Sequence, residues 1–267
     1  MRNLLGFGVL LGLRSNGLRV LFAIVFLVLC SALLAAGFSG RQPLTVALDV
    51  GFSGLRLVLL LMALFWAQEL FARDIERKTL YFMLAYPISR RQYLLARYGS
   101  AAVLSGAAVL VVGGLLWLAV SLFGSDYPQV TQPALDGRFA AVLLGIWLDL
   151  LVVLAFAFLL ASLSTTPFLP MLLGLAFALA ARGLGPTFDY LRHSQFADPE
   201  QARWFGPLLE YAYVWLPDLS RLDWRPWVLY NLPADPVAAL TAALMALAYV
   251  MLVLSLAGAI FTRRNLV

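Results

Sequence analysis

Long apolar runs, separated by short polar stretches, organise this chain. The runs at 18–38, 52–72, 98–123, 139–163, 168–184 and 236–261 each approach the length, about 20 residues, that a helix needs to cross a bilayer. They predict an all-α polytopic membrane protein with six transmembrane helices, because helices satisfy their backbone hydrogen bonds without water. The run at 18–38 is a full span rather than the short core of a cleaved signal, so it is expected to be retained. Before it, residues 1–17 mix Leu and Phe with Arg2 and Arg14, which predicts an amphipathic interfacial helix. Gly8 and Gly12 stand one turn apart there, a spacing that permits close helix packing.

The connections are unequal. A short link at 39–51 carries Arg41 and Asp49, and Gly124, Ser125, Asp126 and Pro128 signal a turn after the third run. Residues 164–167 make a tight turn. Residues 185–235 form the long connection, rich in Trp, Tyr and Pro, which predicts short helices such as 199–213 capping the bundle at the membrane interface.

The stretch 73–97, RDIERKTLYFMLAYPISRRQYLLAR, is too charged to lie in hydrocarbon. Before Pro87, the residues Ile75, Thr79, Phe82 and Tyr86 recur at helical spacing, as in a short surface helix. After it, Ser89 and Gln92 have the spacing of a capping box that opens the next helix.

Composition agrees with the pattern: 63% of residues are hydrophobic and the mean hydropathy is +0.89, outside the usage of soluble domains. The net charge of +5 reflects basic residues at the ends of the runs, which points to membrane topology rather than to nucleic acid. One cysteine, Cys30, and one histidine, His193, leave no disulfide within the chain and no Cys or His metal site. With both termini and 73–97 inside, Arg2, Arg14, Arg19, Arg73, Arg77, Lys78, Arg90, Arg91, Arg97, Arg263 and Arg264 oppose Arg41 and Arg138 in the short outer loops. That bias makes the termini and 73–97 cytoplasmic and the long connection external, where its arginines, Arg182 included, count little.

Three ionisable residues fall inside or at the edge of apolar runs. Asp149 stands near mid-bilayer, where a lone carboxylate must be neutralised, paired or in contact with a wet path. Arg56, expected at a shallower depth, is its natural partner, and the two either pair or line a translocation route. Glu69, near the cytoplasmic end of its run, either pairs with the arginines beyond it or belongs to an inner gate. These carboxylates and His193 are spread across the membrane, which argues against an intramembrane enzyme, and no catalytic residue is assigned.

Glu69, then Glu76-Arg77-Lys78-Thr79-Leu80, then Leu84-Ala85-Tyr86-Pro87-Ile88-Ser89-Arg90-Arg91-Gln92, and then basic Arg97, resemble the permeases of type-2 ABC exporters. Lys78 stands where that family usually has glycine, and Arg97 where lysine is common. Leu216-Pro217-Asp218-Leu219-Ser220-Arg221-Leu222-Asp223 is similar to permeases of copper-processing and nitrous-oxide-reductase maturation. The resemblance implies one permease domain over 1–267 in the bacterial cytoplasmic membrane, working as a homodimer on a separate cytoplasmic ABC ATPase. A periplasmic accessory protein and membrane lipid are further implied partners. Residues 73–97 would be the coupling region, with Thr79, Leu80, Phe82, Met83, Pro87 and Ser89 at its centre and Asp74, Glu76, Arg77, Arg90 and Arg91 as a charged rim. The chain has no G-x-x-x-x-G-K-[ST] phosphate loop, so ATP and Mg would sit on the partner. The implied cargo is copper- or sulfur-related; export of a lipid-linked glycan or drug, and a passive assembly anchor, are the alternatives.

Overall fold

The computed structural model describes residues 2–14, 17–76, 88–123, 132–164, 166, 168–193, 204, 206, 211 and 215–264. Among them all regular structure is helical. Helix α1 is Arg2–Leu13, α2 is Gly17–Phe38 and α3 is Pro43–Ala67, which continues through a π-helical turn, Gln68–Ala72, into α4, Arg73–Glu76. Then follow α5, Arg90–Phe123; α6, Gly137–Leu163; α7, Phe168–His193; a 3₁₀ turn, Leu219–Leu222; α8, Arg225–Leu229; and α9, Pro236–Arg263. Five of these, the continuous Pro43–Ala72 and the helices α5, α6, α7 and α9, are long and apolar enough to cross a membrane. In α2 the described apolar part is the shorter Phe22–Phe38.

The helix starts obey local chemistry. Asp136 caps α6 by accepting from the Arg138 backbone N–H at 2.9 Å, and Asp235 caps α9 by accepting from the Val237 and Ala238 N–H groups. The capping box expected at α5 is present: the Gln92 N–H donates to Ser89 Oγ and the Ser89 N–H to Gln92 Oε1, both at 3.2 Å.

Two boundaries differ from the sequence-based expectation. The second run is helical from Pro43, not from 52, because Pro43 suits a first turn and Asp49 stays on the exposed side. Gly51 is a packing position rather than a breaker, since a Cβ there would lie 2.6 Å from Leu116 Cδ1. The fifth run, expected to stop at 184, continues as helix through Pro186 to His193. That proline forgoes the hydrogen bond to the Arg182 carbonyl but does not end the helix. The first 9 positions of the expected 185–235 loop are therefore helix. The helix expected over 199–213 and the turn at 124–131 lie almost wholly outside the described residues.

α6 is the central helix, with Val152, Val153, Leu154 and Phe158 at 0% exposure. α1 packs on α5 through the glycine spacing: a Cβ on Gly8 would lie 2.3 Å from Ser100 Oγ, and one on Gly12 2.4 Å from Leu104 Cδ1. The Ser100 hydroxyl donates to the Leu5 carbonyl at 3.1 Å, which fixes that contact. The face of α1 left uncovered is apolar, with Phe7, Leu10 and Leu13 exposed.

Candidate functional site

The bundle has two polar ends, here termed the loop end, where residues 218–229 sit, and the island end, where α4 and the start of α5 sit. Counted from the loop end at 1.5 Å per residue, Arg56 lies about 20 Å along α3, Asp149 about 18 Å along α6 and Arg182 about 16 Å from the end of α7. Starting α3 at Pro43 brings Arg56 to the depth of Asp149 rather than to a shallower one.

Asp149 is fully buried. Its Oδ2 accepts from Arg56 Nε at 2.9 Å and from Arg182 Nε and Nη2 at 3.0 and 2.7 Å. Arg56 Nη1 reaches on to Asp223 Oδ2 at 3.1 Å. Asp223 is gripped bidentately by Arg225, with Nε to Oδ1 at 2.7 Å and Nη2 to Oδ2 at 2.6 Å. Arg225 in turn donates to Ser53 Oγ at 2.6 Å and lies 3.6 Å from Asp49. Three guanidinium groups thus alternate with three carboxylates, from a fully buried centre to Asp49, whose side chain is 57% exposed. Among the described residues, Asp149 Oδ1 and Arg56 Nη2 are buried without a hydrogen-bond partner.

Two glycines seat the loop that carries Asp223. A Cβ on Gly145 would lie 2.6 Å from the Leu222 carbonyl oxygen, and one on Gly185 would lie 2.2 Å from Ser220 Oγ and 2.9 Å from Asp218. Glycine at 145 lets the loop backbone approach α6 that closely, and glycine at 185 leaves room on α7 for the Ser220 and Asp218 side chains. Leu219, Leu222 and Trp224 are buried as a result, and the Asp218 carboxylate holds the turn by accepting from the Ser220 N–H and hydroxyl. Burial pushes the Asp223 pKa up, but the hydrogen bond from Arg225 and the charges of Arg56 and Arg225 outweigh it and hold the carboxyl below its ordinary value. The same hydrogen bond raises Arg225.

At the island end, Glu69 lies in the π-helical turn and accepts from Arg73 one turn on. Asp74 accepts from Arg97 Nη2 at 2.8 Å and from the Tyr93 hydroxyl, so α4 is bolted to α5. Arg97 is 2% exposed, and its guanidinium lies 5.8 Å from the Phe7 ring centroid and 5.2 Å from that of Tyr93. Arg90 Nη1 donates to the Arg264 carbonyl at 2.7 Å and, at longer range, to those of Phe261 and Thr262. Arg264 Nη1 donates to the Ser162 carbonyl at 3.0 Å, so two helix C-termini are each met by an arginine. Of the residues expected at the charged rim, Asp74 and Arg90 thus face inward, whereas Glu76 and Arg91 are exposed. Arg77, Thr79, Leu80, Phe82, Met83 and Pro87 lie outside the described residues, as does the His193 side chain.

The sequence pointed to Arg56 and Asp149 and missed Arg182, Asp223 and Arg225, all three assigned to or near a loop whose charge was discounted. A usable signal existed in the helical spacing of Arg182 from Ala178, four residues before it, and Gly185, three after it, both buried.

Residues 18–190, α2 through nearly all of α7, match the family described as ABC-2 family transporter protein. The chain belongs to this family. No curated protein matches it. An ABC-2 membrane protein is a transport subunit of the permease type, and the long apolar helices make this one multi-pass. Arg56, Asp149 and Arg182 lie within the part that matches the ABC-2 family, and Asp223 and Arg225 lie beyond it.

Proposed function

We propose that this chain is the permease subunit of an ATP-driven exporter in a bacterial cytoplasmic membrane, working as a homodimer with a separate cytoplasmic ATPase. The observation that carries this is the ABC-2 match over residues 18–190 in a chain without a phosphate loop. α2 is the sixth span: its 22 residues reach about 33 Å. The basic bias then puts both termini and the island end in the cytoplasm and the loop end outside.

The ATPase docks on 73–97, with Phe82 and Met83 as apolar contacts and Glu76 and Arg77 beside them. Its closure, a rigid-body step, enters through both arms of that segment together, because the Asp74–Arg97–Tyr93 contact ties α4 to α5. Asp149 and Glu69 are each held by arginines and lie far apart along the bundle, which favours transport over intramembrane catalysis. ATP and Mg belong to the partner. The cargo proposed is copper- or sulfur-related, with a periplasmic accessory protein receiving it; export of a lipid-linked glycan or drug is the second reading.

The test is co-purification. The tagged chain should bring down a soluble ATPase and raise its turnover, and Phe82→Asp with Met83→Asp should abolish both while the chain stays in the membrane. A chain that retains its ATPase after both substitutions, or that turns over a lipid unaided, would overturn the assignment.

A further inference from the structure

Arg91 differs from the arginines beside it. Arg90 is engaged with the end of α9, and Arg97 with Asp74 and Tyr93. Arg91 is exposed and forms no hydrogen bond or ion pair with any described residue. It stands at the mouth of a groove of about 450 Å³ between the start of α5 and the last turns of α9. The walls are Leu94 and Leu95 from α5 and Met251 and Leu254 from α9. Positions 91, 94 and 95 share one face of α5, and 251, 254, 255 and 258 share one face of α9. Gly258 keeps its side of the groove open: a Cβ there would meet only Arg91 Cγ, at 3.6 Å, an ordinary contact. Ser255 already donates to the Met251 carbonyl at 2.7 Å, so the guanidinium is the polar feature of the groove that still seeks a partner.

We propose that this groove holds one anionic phospholipid, its phosphate on Arg91 and one acyl chain lying between α5 and α9. The size suits a bound chain, since ligand clefts run from about 300 to 1,000 Å³. In hydrocarbon an apolar groove fills with lipid tails, and a guanidinium at its mouth matches a phosphate bidentately. Basic pockets between membrane helices select anionic headgroups for this reason. A zwitterionic lipid brings its own cation beside the phosphate and gains less from Arg91. The leaflet that supplies the lipid rests on the orientation proposed above; the site itself does not.

The probe is a mixed micelle of phosphatidylglycerol and phosphatidylcholine, with native mass spectrometry counting the lipids retained on the full chain. The wild-type chain should keep phosphatidylglycerol in preference. Arg91→Ala should lower that retention several-fold, to the level of phosphatidylcholine, and Arg91→Lys should keep most of it. Gly258→Leu narrows the groove and should lower retention of both lipids, with Gly258→Ala as the milder variant if the larger one fails to fold. Arg41→Ala, an exposed basic residue at the loop end, should change nothing. Equal phosphatidylglycerol retention in the wild-type and Arg91→Ala chains, or an equal loss in Arg41→Ala, overturns the proposal. Neither outcome depends on whether an ATPase docks at 73–97.

Discussion

The loop end and the island end solve the same problem, keeping charge within an apolar bundle, in opposite ways. At the loop end, side chains far apart in sequence converge: Arg56 meets Asp149 across 93 positions and Asp223 across 167. At the island end the ionic contacts span fewer positions, Glu69 with Arg73 one turn on and Asp74 with Arg97 across 23. The longer reach there, Arg90 and Arg264 to other helices, ends on backbone carbonyls. A network that ties α3, α6, α7 and the loop together resists relative motion of those four parts. The Asp74–Arg97 pair instead joins α4 to the start of α5, which fits the proposed docking of an ATPase on this segment. On the proposed function, the loop end would hold shape and the island end would pass on the ATPase's movement.

The sharpest break in this comparison is at Asp149. Asp149→Ala leaves two buried guanidinium groups without their shared carboxylate and should cost about 3–5 kcal/mol. Thermal unfolding in detergent would measure it, and a loss within error would show that water already serves those arginines. Next in size is Gly145→Leu, which drives a side chain into the Leu222 carbonyl and should cost about 1–3 kcal/mol while exposing residues 218–224 to protease. Protection unchanged from wild type would mean that the loop is not seated there. The smallest effect is expected at the island end. Arg90→Gln removes a cation from the α9 C-terminus, worth about 0.3–1 kcal/mol, so its melting curve should barely shift. A loss as large as that of Asp149→Ala would erase the contrast between the ends.

Much of the bundle was legible in the chain because helix formation in lipid depends on local composition. The runs became helices, and the Ser89–Gln92 cap and the Gly8–Gly12 contact formed as their spacing suggested. The boundaries at 43 and 193 were less legible. Gly51, Gly185 and Pro186 fall in the expected connections, yet each lies within a helix, with Gly51 packed on Leu116 and Gly185 against the 218–220 loop. Of the buried network, the span residues Arg56 and Asp149 stood out against their apolar neighbours. Asp223 and Arg225 did not, because charge in a polar connection is unremarkable until that connection is known to enter the bundle.

The sequence by itself determined a multi-pass helical membrane protein, its polar island and the two charges that could not remain alone, because hydrophobic length and isolated charge are properties of a segment. Only the tertiary structure decided that Arg182 shares Asp149 with Arg56, that residues 218–224 descend onto Gly145 and Gly185, and that Arg90 faces inward while Arg91 opens on a groove. Those outcomes depend on which helix faces meet, and a carboxylate selects its cations by distance in space, to which separation along the chain is blind.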